Sequence, residues 1–166
     1  MALFEFKQEY GGYPGESTVT AVRESTESTL PLGNKTSNDF LRQLVASAIA
    51  QSEPMFYANI AGSRKPDGVM TNGEALKKAE CGFSYIIPPA TIRGSRPLLV
   101  TPLVPGTDVF DPKPFDGKAI VIWSDEGPLL MPIDKSGHVL VNGKNLFDPA
   151  NPIWDGKPPV IVWPDL

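Results

Sequence analysis

The sequence predicts an α+β fold over residues 1–166, a single domain in which one core helix packs on an antiparallel sheet of short strands. Apolar residues recur at helical spacing over 37–51. Most of the 18 prolines lie in the second half of the chain, where short apolar runs alternate with turns rich in Pro, Gly and Asp. The helical pattern precedes the strand patterns, and this order favours α+β over alternating βαβ units.

Composition and charge exclude several classes of protein. The net charge of -4 argues against a binder of nucleic-acid phosphates, which needs a basic face. Cys81 is the single cysteine, so neither an internal disulfide nor a multi-cysteine zinc or iron–sulfur site can form. His138 is the single histidine and lies in a strand-like run, which favours a structural role. No apolar stretch reaches the roughly 18 residues that a membrane-spanning helix needs.

The chain begins with an amphipathic pattern that predicts a helix over residues 1–10. Gly11 suits the left-handed conformation that ends many helices, and Pro14 cannot continue one. An isolated helix of this length is unstable in water, so it needs tertiary packing or is the end of a longer helix. The apolar side chains that share or flank one face of the predicted helix are Leu3, Phe4, Phe6 and Tyr10.

The next segments alternate between polar and helical patterns. Residues 16–36 are rich in Ser, Thr and Glu and predict a polar loop, in which "STVTAV" is a candidate short strand. The core helix is predicted over 37–51, and Thr36 and Asp39 have the spacing of a capping box at its start. A second short helix is predicted over 73–80, "GEALKKAE".

Residues 83–166 form the predicted strand-rich region. Its apolar runs are "FSYII", "PLLVTPL", "KAIVIW", "HVLV" and "PVIVW". Asn142-Gly143 is a favoured two-residue hairpin turn. An internal similarity links 110–123, "FDPKPFDGKAIVIW", with 147–163, "FDPANPIWDGKPPVIVW". We interpret it as two Asp-Gly turns that each begin a strand of one sheet; a duplicated binding loop is the alternative.

The sequence contains no motif of a known catalytic site. It has no phosphate-binding Gly-rich loop, no nucleophile elbow and no His-Glu-x-x-His, and no carboxylate pair stands out for a hydrolase. Asp108, Asp111 and Asp116 are candidate calcium ligands, since clustered loop carboxylates suit that ion, although Asp before Pro or Gly is also ordinary turn chemistry. A carbohydrate-binding surface would use the aromatic rings Trp123, Trp154 and Trp163, for which core packing is the alternative.

The first residues carry a resemblance to a known family. "ALFEFKQEYGGYPG", residues 2–15, resembles the end of the long N-terminal helix in type IV pilin-like proteins, and specifically in pseudopilins of type II secretion (the general secretion pathway). Ala2-Leu3, Phe6 and Tyr13-Pro14 stand at the matching places, whereas Tyr10 replaces a frequent Asn. The strands separated by Asp-Pro turns are also similar in style to a pilin-type sheet.

The resemblance implies a function and partners. The chain would be the ectodomain of a non-enzymatic structural subunit, at the periplasmic face of the inner membrane. An apolar helix before Met1 would anchor it and then pack in a filament with further copies, other pseudopilins and the secretion assembly platform. Such a subunit needs no cofactor, with calcium as an alternative. The expected subunit interface is Leu3, Phe4, Phe6 and Tyr10. The competing hypothesis is a carbohydrate- or other ligand-binding module that uses the sheet-borne tryptophans.

Overall fold

A computed structural model describes residues 2–71 and 73–166, and it has the predicted α+β composition. Helices occupy the first part of the chain and an antiparallel sheet the second. The helices in these residues are α1 (Ala2–Tyr10), α2 (Glu16–Thr26) and α3 (Ser37–Ala46), with short 3-10 helices at Glu53–Phe56 and Pro152–Trp154. The strands are β1 (Ser84–Ile87), β2 (Pro97–Thr101), β3 (Lys118–Trp123), β4 (Gly127–Pro132), β5 (Leu140–Val141), β6 (Lys144–Asn145) and β7 (Val160–Val162).

The chain divides into two compact units, which we describe separately. The helical unit runs from the N-terminus to Gly82 and includes Pro164–Leu166, whereas the sheet unit comprises Phe83–Trp163. The packing of the core helix on the sheet, and with it the single-domain organisation, stays a prediction.

Two of the predicted helices are present in the helical unit. α1 ends at Tyr10, where Gly11 has the left-handed φ of 74°. α3 begins with the predicted capping box, in which Thr36 Oγ1 accepts a hydrogen bond from the Asp39 amide. It ends at Ala46 rather than at residue 51, because the backbone turns into the left-handed region at Ala48.

The predicted polar loop over 16–36 is wrong in its first half, which forms α2. Only Thr18 and Val22, one turn apart, are buried on this helix. Its other positions are largely polar, so the sequence lacks the apolar periodicity by which a helix is predicted. A tertiary contact holds it: Thr18 Oγ1 accepts from the Gly15 amide at 3.0 Å and donates to Gln43 Oε1 of α3 at 2.6 Å.

The predicted short helix over 73–80 is also wrong. Leu76 and Ala79 have φ values of 48° and 70°, which an α-helix does not accommodate. The segment is a series of turns held by α3: Arg42 Nε donates to the Ala75 carbonyl at 2.9 Å, and Asn38 Nδ2 donates to the Leu76 carbonyl at 3.0 Å.

The sheet unit is built on five antiparallel strands in the order β4-β3-β2-β1-β7. β4 was not predicted, because Pro128 and Pro132 resemble turn residues. Both prolines are compatible with the position of β4 at the edge of the sheet. A proline nitrogen cannot donate a hydrogen bond, and on an edge strand it can face away from the neighbouring strand. The buried core of this unit is Ile86, Val100, Leu103, Phe110, Ala119, Val121, Trp123, Val139, Leu146, Phe147 and Trp154.

The turn predictions for this unit are confirmed. β5 and β6 form a two-stranded hairpin, and Asn142 and Gly143 between them have φ values of 53° and 73°. In the internal similarity, Asp116-Gly117 has φ values of 50° and 74°, and Asp155-Gly156 has 51° and 74°. The first pair leads into β3 and the second into β7, so both copies contribute a strand to the same sheet.

Candidate functional site

Most of the predicted interface on α1 belongs to the core of the helical unit. Leu3 and Phe6 are buried. The Phe6 ring stacks on the ring of Tyr10, with centroids 4.6 Å apart, and the Tyr10 hydroxyl lies 3.0 Å from Ser25 Oγ on α2. These three side chains therefore attach α1 to its own unit, and a subunit interface on Leu3, Phe4, Phe6 and Tyr10 stays a prediction.

Phe4 is the member of the predicted interface that faces outward. Its side chain is 48% exposed. At about 100° per residue, Phe4 lies roughly 160° around the helix from Phe6, which is nearly the opposite face. Its exposed neighbours are polar or charged, namely Glu5, Lys7, Gln8 and Glu9. An isolated aromatic ring therefore projects from a charged helix face.

The candidate calcium ligands do not form a cluster. Asp108 Oδ2 accepts a hydrogen bond from Asn145 Nδ2 at 3.0 Å, and Asp111 Oδ1 accepts one from the Lys113 amide at 3.0 Å. Asp116 occupies the left-handed position of its Asp-Gly turn. Among the described residues, the metal-capable cluster of three or more acidic, His or Cys side chains lies elsewhere. Turn chemistry accounts for the contacts of these aspartates, and calcium binding by them stays a prediction.

The tryptophans do not form an open stacking surface. Trp123 and Trp154 are buried in the core of the sheet unit. Trp163 is half-buried, and its Nε1 donates to the Thr107 carbonyl at 3.0 Å. A sugar ring stacks on an exposed aromatic face, so the burial of Trp123 and Trp154 favours core packing over sugar binding for these two rings.

The single cysteine is a buried side chain of the helical unit. Cys81 is fully buried, and its Sγ lies 3.8 Å from Ser37 Oγ. A catalytic or redox-active thiol has to reach solvent or substrate. Burial of this thiol therefore agrees with a structural role.

Three carboxylates converge in the helical unit, and no sequence motif identified them. Glu53, Asp67 and Glu80 each place an oxygen within 4.8 Å of the others. Glu53 begins a 3-10 helix and Glu80 ends a series of turns, and both side chains are fully buried. These residues are far apart in sequence and have no regular spacing, so no sequence pattern indicates that their carboxylates meet in the folded chain.

Each of these carboxylates already has donors. Glu53 accepts two amide hydrogen bonds at 2.8 Å, with Oε1 from Leu76 and Oε2 from Gly68. Glu80 Oε2 accepts from the Lys77 amide at 2.8 Å. Glu80 Oε1 accepts no hydrogen bond within the described residues, but it forms an ion pair with Arg64 Nη2 at 2.9 Å.

Asp67 completes the cluster at the surface. A hydrogen bond from Lys77 Nζ at 2.9 Å and one from the Val69 amide hold the pKa of Asp67 below its usual range. The carboxylates of Glu74 and Asp67 in turn raise the pKa of Lys77. Amides and two cations thus satisfy the carboxylates, and the cluster organises an irregular loop that contains little secondary structure.

Comparison with known proteins found no match to a protein-family model, to a curated protein or to a solved structure. Within residues 2–71 and 73–166, no helix combines the length and the apolar character that crossing a membrane requires.

Proposed function

We propose that this chain is a non-catalytic structural subunit of a type II secretion pseudopilus, which assembles through its N-terminal helix and supports protein export. The observation that carries the proposal is the outward-facing Phe4 in the segment 2–15 that resembles the pseudopilin helix end. In this proposal an apolar segment before Met1 holds the subunit at the periplasmic face of the inner membrane until assembly.

The packing of α1 makes Phe4 a suitable anchor for a neighbouring subunit. Leu3 and Phe6 are buried and hold the helix on its own unit, so the backbone that carries Phe4 is fixed before a partner binds. Large aromatic side chains that enter a pocket on a partner often dominate binding energy. A contact of this ring with a different surface of the next copy is head-to-tail, and repeated rotation that does not close produces a filament.

Site-specific photo-crosslinking in the native host tests whether Phe4 contacts another subunit. The photoreactive residue p-benzoylphenylalanine replaces Phe4 in the full-length gene, or Met55 as the matched control. Both side chains are 48% exposed in the helical unit. We expect a light-dependent ladder of multimers from position 4 and little from position 55. Absence of the ladder, or equal ladders from both positions, would show that the Phe4 face is not a subunit interface.

A charge substitution tests whether this contact is needed for function. Phe4 is 48% exposed on a charged face of α1, so Phe4→Glu places the new carboxylate in solvent and folding should be retained. We expect filament assembly and secretion to be lost in Phe4→Glu, largely retained in Phe4→Leu, and unchanged in Met55→Glu. Circular dichroism of the purified chains checks the fold. Normal secretion by a correctly expressed Phe4→Glu variant would contradict the proposed assembly.

A further inference from the structure

The sheet unit contains a cavity whose walls come from two proline-rich segments. One wall follows β1 over residues 87–96, and the other comprises residues 154–160, which lead into β7. The cavity volume is ≈730 Å³, within the range of about 300–1,000 Å³ that is common for small-molecule sites. Neither the sequence patterns nor the proposed filament function accounts for it.

Arg96 is the buried charged residue that lines this cavity. Its side chain is buried, and its Nη2 forms an ion pair with Asp155 Oδ2. The Arg96 Nε is also buried, but it has no hydrogen-bond partner among the described residues. A buried N–H of a charged group without an acceptor is costly, so the Arg96 side chain has hydrogen-bonding capacity that its contacts within the described residues leave unused.

The surroundings of Arg96 are rigidly held. Its backbone amide donates to Ser124 Oγ at 3.1 Å, and its carbonyl accepts from the Ser124 amide at 2.8 Å. The guanidinium carbon lies 5.8 Å from the centroid of the Trp154 ring, whose Nε1 donates to the Leu146 carbonyl at 2.6 Å. The guanidinium is therefore positioned before any ligand arrives, which lowers the entropic cost of binding.

The charge of the cavity indicates the class of ligand. Arg93, Arg96 and Lys157 line it, against a single acidic lining residue, Asp155. This local excess of positive charge stands out in a chain with a net charge of -4. Arg93 and Lys157 are exposed, so they remain available to a ligand at the mouth.

We propose that this cavity, the Arg96 cavity, binds a small anionic molecule through a carboxylate or phosphate group. An oxygen of that group pairs with the Arg96 guanidinium, and Arg93 and Lys157 attract the charge at the mouth. The prolines and Trp154 supply apolar contact for the rest of the molecule. The proposal involves only residues of the sheet unit, so it does not depend on the Phe4 contact.

Titrations followed by NMR test the site on the ¹⁵N-labelled chain. The probes are citrate and inorganic phosphate, with sodium chloride at matched ionic strength as the reference. We expect saturable shifts of the Arg96 Nε–H and Trp154 Nε1–H signals, whereas the Trp163 indole signal stays in place. A response to citrate alone identifies a carboxylate site and a response to phosphate alone a phosphate site. If neither probe shifts the Arg96 signal beyond the chloride reference, the proposal is wrong.

Paired charge variants separate a site from general electrostatic attraction. Arg93→Gln combined with Lys157→Gln removes the two cations at the mouth and leaves Arg96 and its core contacts intact. We expect about a fivefold to tenfold weaker affinity for the better probe. The control, Lys113→Gln combined with Lys135→Gln, removes two exposed charges of the same unit outside the cavity, and it should change affinity less than about twofold. Equal losses in both double variants would overturn the assignment.

Discussion

Replacing Glu53 with Gln tests whether the buried carboxylate cluster holds the irregular loop of the helical unit. Glu53 is fully buried, and its two oxygens accept the amides of Gly68 and Leu76, both at 2.8 Å. Glutamine has nearly the same shape but keeps a single acceptor oxygen. Whichever way the amide is oriented, one of the two backbone N–H groups then faces an NH₂ group instead of an acceptor.

The expected magnitude follows from two opposing effects. A buried backbone N–H left without an acceptor costs about 1–3 kcal/mol. Loss of the Glu53 charge also relieves repulsion from Asp67 and Glu80, but those carboxylates are already paired with Lys77 and Arg64. We therefore expect a net destabilisation of about 2 kcal/mol, which lowers the Tm of a chain of this size by about 4–8 °C.

Thermal unfolding and amide hydrogen exchange measure the effect globally and locally. The amides of Gly68 and Leu76 should exchange up to about 30-fold faster in Glu53→Gln, because 1.4 kcal/mol corresponds to a factor of ten. Amides in β3 serve as the internal reference. Glu24→Gln makes the same chemical change at an exposed position of α2 and should change neither the Tm nor these rates.

Two results would refute this reasoning. If Glu53→Gln matches the wild type in Tm and in exchange at Gly68 and Leu76, the two short hydrogen bonds do not hold the loop. If the variant is more stable than the wild type, repulsion among the three carboxylates outweighs the hydrogen bonds that Glu53 accepts. Addition of calcium to the wild type provides a separate check, because a metal site on these carboxylates would raise the Tm with the concentration of the ion.

Two further predictions concern other parts of the chain. The His138 amide donates to the Asp134 carboxylate and lowers its pKa, so this contact stabilises the fold above the unfolded pKa of about 3.9 and is lost as the pH falls through the lower folded pKa. In Asp134→Asn, the stability measured by acid unfolding should lack the loss that protonation of Asp134 causes in the wild type. A ¹³C titration of the Asp134 carboxyl that gives a pKa at or above that of free Asp would contradict this prediction. Gly82→Ala should destabilise by about 1–3 kcal/mol, since the new Cβ would lie 2.6 Å from the Ala58 Cβ. Gly12→Ala, whose nearest neighbour would be 3.8 Å away, is the control, and equal denaturation midpoints for the two variants would show that the backbone relaxes at Gly82.

Local chemistry made several elements predictable from the sequence. The start of α3 follows from Thr36 and Asp39, because a capping box is formed by residues three apart in the chain. The β5–β6 hairpin follows from Asn142-Gly143, because a two-residue turn of this type needs positive φ at both positions. In each case the interacting groups are close in sequence, so the pattern contains the information.

Other elements depend on partners that are distant in sequence. α2 has a short buried stripe, and the hydrogen bond from Thr18 to Gln43 on another helix contributes to its stability. β4 contains prolines that are compatible with a strand only at the edge of a sheet, and the position of that edge is decided by strand order. Propensity and periodicity do not record such contacts, which is why these two elements were missed.

The sequence by itself determined the fold class, the capped helices and turns, and the absence of recognisable catalytic motifs. Tertiary structure alone decided which side chains remain available. Phe6 is buried and Phe4 exposed on the same helix, the tryptophans Trp123 and Trp154 are in the core, and Arg96 has a buried N–H in a cavity. Burial and hydrogen-bond partners depend on the whole folded surface, so a pattern of neighbouring residues identifies the residue types of a site but not which of them face a ligand or partner.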